Sequence, residues 1–104
     1  MIERALLATS LCSQCDMITI EFYGVPRLRS GVARAVVADD PRTLGELWQC
    51  LAARYPRFAS DCLVHDRLQA HYVANLNGER FVEDPNTLLP SNACVLVLSA
   101  DAGG

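Results

Sequence analysis

The stretch from Thr43 to Tyr55 constrains the fold of this chain more than any other. Thr43-Leu-Gly-Glu46 is a capping box: the threonine hydroxyl can accept from the amide three residues on, while the Glu46 carboxylate reaches back. Leu44, Leu47, Trp48, Leu51, Ala52 and Tyr55 then recur at the spacing of one helical face. Pro56 ends the run, because a proline drives the residue before it out of helical geometry. A helix with one apolar face must bury it against something. The segments on either side supply strands.

Ahead of the helix, residues 18–23 alternate, with Ile18, Ile20 and Phe22 on one face and Thr19, Glu21 and Tyr23 on the other. Residues 24–31 carry glycine and proline punctuation, and residues 33–38, including Val36 and Val37, read as a second strand. The short separation predicts a hairpin. Behind the helix, residues 57–67 are less regular, with room for a short second helix through Phe58, Cys62, Leu63 and Val64. Residues 71–76 read as a strand, Asn77-Gly78 as a tight turn, residues 79–82 as a short strand and residues 93–98 as the last strand. The sum is an α+β domain: a mixed sheet of four to five strands with one main helix packed across it.

Composition narrows the function classes. At 104 residues, 51% apolar and 20% charged, the chain suits one small globular domain. Its formal charge is −3 and its basic residues are scattered, which argues against nucleic acid as a partner. All nine basic residues are arginine, so the chain offers no lysine for isopeptide attachment or a Schiff base. No run reaches the ~18 apolar residues that a membrane span requires. The first twelve residues are only loosely signal-like, since Glu3 stands where a basic region belongs. Five cysteines without a regular framework suggest free thiols, and a cytoplasmic location is expected.

Residues 1–16 read as an extension, either disordered or a short helix through Leu6, Leu7 and Leu11; Met17 is then an alternative start. Cys12-Ser-Gln-Cys15 has the spacing of half a zinc site, but no second pair follows it and no metal is expected. His65 and His71 lack a recognisable nucleophile motif, so hydrolase chemistry is unsupported.

The ending is the second strong constraint. After the strand come Ser99-Ala-Asp-Ala102 and then Gly103 and Gly104. Six small or acidic residues can project roughly 20 Å when extended. Gly103 and Gly104 lack Cβ, so such a tip can enter a channel closed to other residues. Paired terminal glycines arise by chance in roughly 0.5% of chains, and a cloning remnant is the other bland account. The domain behind the tail decides between them.

The order strand, strand, helix, strand, short strand, terminal strand is that of the ubiquitin-like β-grasp fold. With Phe22-Tyr-Gly24, Asn75-Leu-Asn-Gly78 and the glycine pair, residues 17–104 resemble the MoaD/ThiS family of sulfur carriers, which includes the small subunit of molybdopterin synthase. The resemblance implies a carrier and not an enzyme, with a flexible Gly-Gly tail and no bound cofactor. A ubiquitin-activating-type adenylyltransferase would use ATP to adenylate the carboxylate of Gly104, and a sulfurtransferase or other donor would convert it to a thiocarboxylate. An acceptor enzyme such as a molybdopterin synthase large subunit would consume it. Gly103 would give the tail its clearance, and Leu98, Asp101 and Ala102 would meet the partner. Leu98 has an equally good reading as an ordinary core residue of the last strand.

Two departures leave the pathway open among molybdopterin, thiamine, cysteine and related metabolites. Ser99-Ala-Asp-Ala102 stands where many molybdopterin synthase small subunits have prolines and apolar residues, and Asp101 brings a negative charge close to the reacting carboxylate. The segment between the helix and the third strand is also longer than in the shortest thiamine-type carriers. Two other functions fit the same tail or fold: a covalent protein modifier, which also begins with adenylation, and a non-covalent ubiquitin-like interaction module.

Overall fold

The computed structural model describes residues 17–100. The readings of residues 1–16, with Cys12 and Cys15, and of residues 101–104 fall outside the described residues. Period-two alternation in the strands gives the sheet one apolar face, and the helices cover it. The elements in order are β1 (Ile18–Phe22), α1 (Val25–Ser30), β2 (Arg34–Val37), α2 (Leu44–Arg54) and α3 (Pro56–Cys62). They are followed by β3 (Leu63–Val64), β4 (Arg67–Leu68), β5 (Tyr72–Leu76), β6 (Arg80–Val82) and β7 (Cys94–Ser99).

Five strands make one mixed sheet in the order β2-β1-β7-β5-β6, and β3 with β4 forms a separate small ladder. β7 lies at the centre, parallel to β1 and antiparallel to β5. The other two pairings, β1 with β2 and β5 with β6, are antiparallel. This is the β-grasp arrangement expected from the sequence.

The inner face buries Ile18, Ile20, Phe22, Val37, Ala74, Leu76, Val95 and Val97. Against it pack Leu44, Leu47, Trp48 and Leu51 of α2, with Phe58 and Cys62 of α3. Phe22 meets the rings of Phe58 and Tyr55 edge-on, with centroids 5.2 and 5.9 Å away, a geometry that aromatic quadrupoles favour. The capping box forms with one shift. Thr43 Oγ1 accepts from the Glu46 amide at 3.2 Å, whereas Glu46 Oε1 accepts from the amide of Arg42 at 2.8 Å. Thr43 itself is held in a β-bridge to Leu88. Gly45 lets the Pro85 segment approach closely, since a Cβ would stand 3.0 Å from Pro85 Cβ and 3.2 Å from its carbonyl oxygen.

Three local readings change. β1 and β2 pair antiparallel as expected, but the connection between them holds α1, with Gly24 at φ 63° before it and Gly31 at φ 82° after it. Those glycines punctuate a helix, and Pro26 in its first turn is the residue it buries. Pro56 ends α2, as expected, and also opens α3, because its fixed φ suits a first helical turn. Residues 63–68 continue as the β3–β4 ladder and not as further helix.

Trp48 is the largest of the fully buried side chains. Trp48→Ala is expected to cost ~3–5 kcal/mol through the cavity left behind. Leu28→Ala on exposed α1 should change stability by no more than about 0.5 kcal/mol. Urea unfolding of both variants checks the pair.

Candidate functional site

The outer face of the sheet is where the residues that the sequence singled out converge. β7 alternates, so Val95 and Val97 face the helices while Leu96 and Leu98 face the other way and stay half-buried. Leu98 stands beside Val73 of β5, and Leu96 lies between Glu21 of β1 and Asn75 of β5. The core-residue reading of Leu98 is therefore replaced: the inward positions of this strand belong to its valine neighbours.

Around Leu98 the face is apolar. Tyr23 and Phe81 are 45% and 64% exposed, an unusual expenditure of large side chains on solvent. Sequence reasoning had put Tyr23 on this face but did not single out Tyr23, Val73, Leu96 or Phe81 as functional. The available signal was the parity of β7, whose run Val95-Leu-Val-Leu98 is apolar at both odd and even positions. A strand with one face in water alternates apolar with polar.

The described chain leaves the sheet at this place. Tyr72 pairs with Ser99, and the amide of Ala100 donates to the His71 carbonyl at 2.8 Å. On the other side, the amide of Tyr23 donates to the Val97 carbonyl at 2.9 Å. The segment toward residue 101 thus departs between the end of β1 and the start of β5, next to Leu98 and Val73. Asp101, Ala102, Gly103 and Gly104 lie outside the described residues.

The polar side of the face is a small network on Glu21. Its carboxylate accepts from the Arg34 guanidinium at 2.8 Å and from the Tyr23 hydroxyl at 2.6 Å. The Arg34 hydrogen bond, then that of Tyr23, holds the Glu21 carboxyl below its ordinary value of 4.5. The same carboxylate pushes the Tyr23 hydroxyl up from 10.0. Cys94 lies close by, its thiol raised chiefly by burial and next by the Glu21 charge. Cys50 and Cys62 are free thiols like Cys94, and burial raises each of them as well, which disfavours the reactive thiolate.

Among the described residues no group of three or more His, Cys, Asp or Glu side chains is placed to hold a metal ion. No helix among them is long and apolar enough to cross a membrane. A groove of about 560 Å³ runs between α2, the β3–β4 ladder and the β5–β6 pair, past Trp48, Leu68, Tyr72 and Val82. Its charged lining residues are Arg67 and Glu83, and no serine, cysteine or histidine lines it.

No protein-family model matches the sequence, and neither does any curated protein. Solved structures do match in shape. The small archaeal modifier protein 1 of Haloferax volcanii superposes with a TM-score of 0.71 at 17% identity, covering 85% of this chain and 99% of its own. The HVO 2177 protein of the same organism gives 0.66 at 25% identity, covering 85% and 86%. A Pyrococcus furiosus protein provisionally assigned as molybdopterin converting factor, subunit 1, gives 0.65 at 15% identity, covering 80% and 95%. The chain therefore has the ubiquitin-like β-grasp fold. That fold is shared with the archaeal proteins above.

The Glu21 network makes a pH prediction. Folding favours the ionised carboxylate, so its contribution is complete above the unfolded value and lost as pH falls through the lower folded one. Being at the surface, the contribution should be under about 1 kcal/mol. Glu21→Gln should lower stability at neutral pH and converge with the parent chain in acid, as read by urea unfolding across the carboxylate range.

Proposed function

We propose that this chain is a sulfur carrier: the carboxylate of Gly104 is adenylated and then converted to a thiocarboxylate that a second enzyme consumes. The observation that carries the reading is the juxtaposition at the end of β7. The chain departs from the sheet beside a half-buried apolar face built from Leu98, Val73 and Leu96, with the exposed Tyr23 at its edge. A partner that grips this face holds the following residues within reach of its own active site.

The chemistry divides accordingly. A carboxylate is a poor acyl donor until a good leaving group is attached, so ATP is spent by the activating enzyme and not by the carrier. The carrier supplies a rigid handle and a narrow tip. Gly104 bears the activated carbonyl, Gly103 lets it pass a constriction, and Asp101 and Ala102 line the approach. Leu98 anchors the face. The partners implied are a ubiquitin-activating-type adenylyltransferase, a sulfur donor and an acceptor enzyme, of which a molybdopterin synthase large subunit is one form. The chain itself is non-catalytic, and the acceptor is the molybdopterin, thiamine, cysteine or a related pathway.

The likeness to proteins named small archaeal modifiers supports a second reading, covalent attachment of Gly104 to other proteins. Both readings start from the same adenylate and differ in the nucleophile that resolves it. This chain has no lysine of its own, so in the second reading it is attached to others without receiving copies of itself on a lysine.

Intact mass distinguishes them. After incubation with ATP, the adenylating enzyme and a sulfur donor, the carrier should gain the mass of sulfur replacing one carboxylate oxygen, located on the C-terminal peptide. Deleting Gly104, or adding a residue after it, should abolish that gain with the melting temperature almost unchanged. Conjugates on a gel that vanish with the Gly104 deletion would favour the modifier. Full function without Gly103 and Gly104 would leave only a non-covalent interaction module.

A further inference from the structure

The outer face contains one polar atom that its surroundings leave without a partner. Asn75 lies mid-strand in β5, with Leu96 of β7 on one side and Phe81 of β6 on the other. Its neighbours Ala74 and Leu76 are buried inward, so alternation turns Asn75 to the outer face. Its side-chain oxygen is closed off from solvent and accepts no hydrogen bond from any described residue. By contrast Asn77, in the turn just past the end of β5, uses its oxygen to accept from the Cys94 amide at 2.8 Å. The other shielded side-chain atom of this kind, Arg29 Nε, lies 2.7 Å from an Asp61 carboxylate oxygen and is neutralised there.

A carbonyl oxygen stripped of water without a donor is costly to keep, and an aliphatic side chain of similar size would avoid the cost. The position is therefore unexplained by the free domain. It lies beside Leu96, within the face that the proposed function puts against the activating partner.

We propose that Asn75 is the specificity-determining residue of that docking face, its amide oxygen accepting a hydrogen bond from a neutral donor of the partner. The inference rests on the carrier reading for the location of the partner. A backbone N–H, a hydroxyl or a side-chain amide fits; a cation does not, because Leu96 and Phe81 would strip it of water. The Glu21 carboxylate, across Leu96 on β1, is already held by Tyr23 and Arg34. Phe81, on a short edge strand and largely exposed, has the freedom to move aside as the donor enters. A partner with an apolar group at this point leaves the oxygen unpaired and is rejected, as sites built around a hydrogen bond reject analogues that lack it.

The test uses the full chain and the adenylating enzyme that activates it, with ATP–pyrophosphate exchange as the readout. Asn75→Leu should melt at the same temperature or higher, raise the KM for the carrier about tenfold and leave kcat at saturation unchanged. Asn75→Ala should repeat the KM effect with a smaller side chain. Leu88→Ala, exposed on a loop away from the sheet face, should leave KM unchanged. An unchanged KM in both Asn75 variants overturns the proposal, and so does a marked fall in melting temperature, which would make the amide a structural bond. Absence of exchange with the parent chain defeats the carrier reading itself, and the proposal with it.

Discussion

Val95 and Val97 are fully buried between β1 and β5, so the sheet closes only where β7 slots between them. Fully burying a valine or leucine side chain is worth about 1.5–3 kcal/mol, and β7 aligns its two valines with Ile20, Phe22, Ala74 and Leu76 in one apolar layer. The helix α2 has its apolar face because this layer exists to receive it. The opposite side of the same strand carries Leu96 and Leu98, which the domain itself covers only by half. One strand thus holds the core together on one side and turns Leu96 and Leu98 to the other.

That economy suits a carrier. In the proposed role the reacting group would visit more than one active site, so it could not be held by the domain that bears it. What the domain must do is stay rigid while it is gripped. The two edges of the sheet show the same logic in different form. At β2, Arg54 reaches from the end of α2 and donates to the Val36 carbonyl at 2.8 Å, blunting an edge that would otherwise invite pairing. At β6 the edge is short, with only Arg80–Val82 paired.

Much of this was legible from local pattern. The alternation of Ile18, Ile20 and Phe22, the capping box at Thr43, the Asn77-Gly78 turn and the helical stripe around Trp48 each act through near neighbours, and each has its expected place. What was missed depends on distant contacts. Gly24 and Gly31 carry the same punctuation whether they bracket a turn or a short helix, and α1 exists because Pro26 and its neighbours find a buried seat. The side of β7 to which Leu98 turns depends on register, and register is set by β1 and β5 together. Asn75 looked like part of a turn motif; its unpaired oxygen becomes visible only when Leu96 and Phe81 are beside it.

The central position of β7 also bears on synthesis. A chain leaves the ribosome with its N-terminal end first, so the other four strands of the sheet emerge before the one that joins them. Until residues 94–99 are free, the chain has two separate hairpins with unpaired inner edges, a state prone to aggregation and suited to chaperone protection. Completion of the sheet is then a single late event. On the proposed carrier reading, the face around Leu96 and Leu98 exists only on a copy that has passed it, so an incomplete copy would give an activating partner no surface to hold.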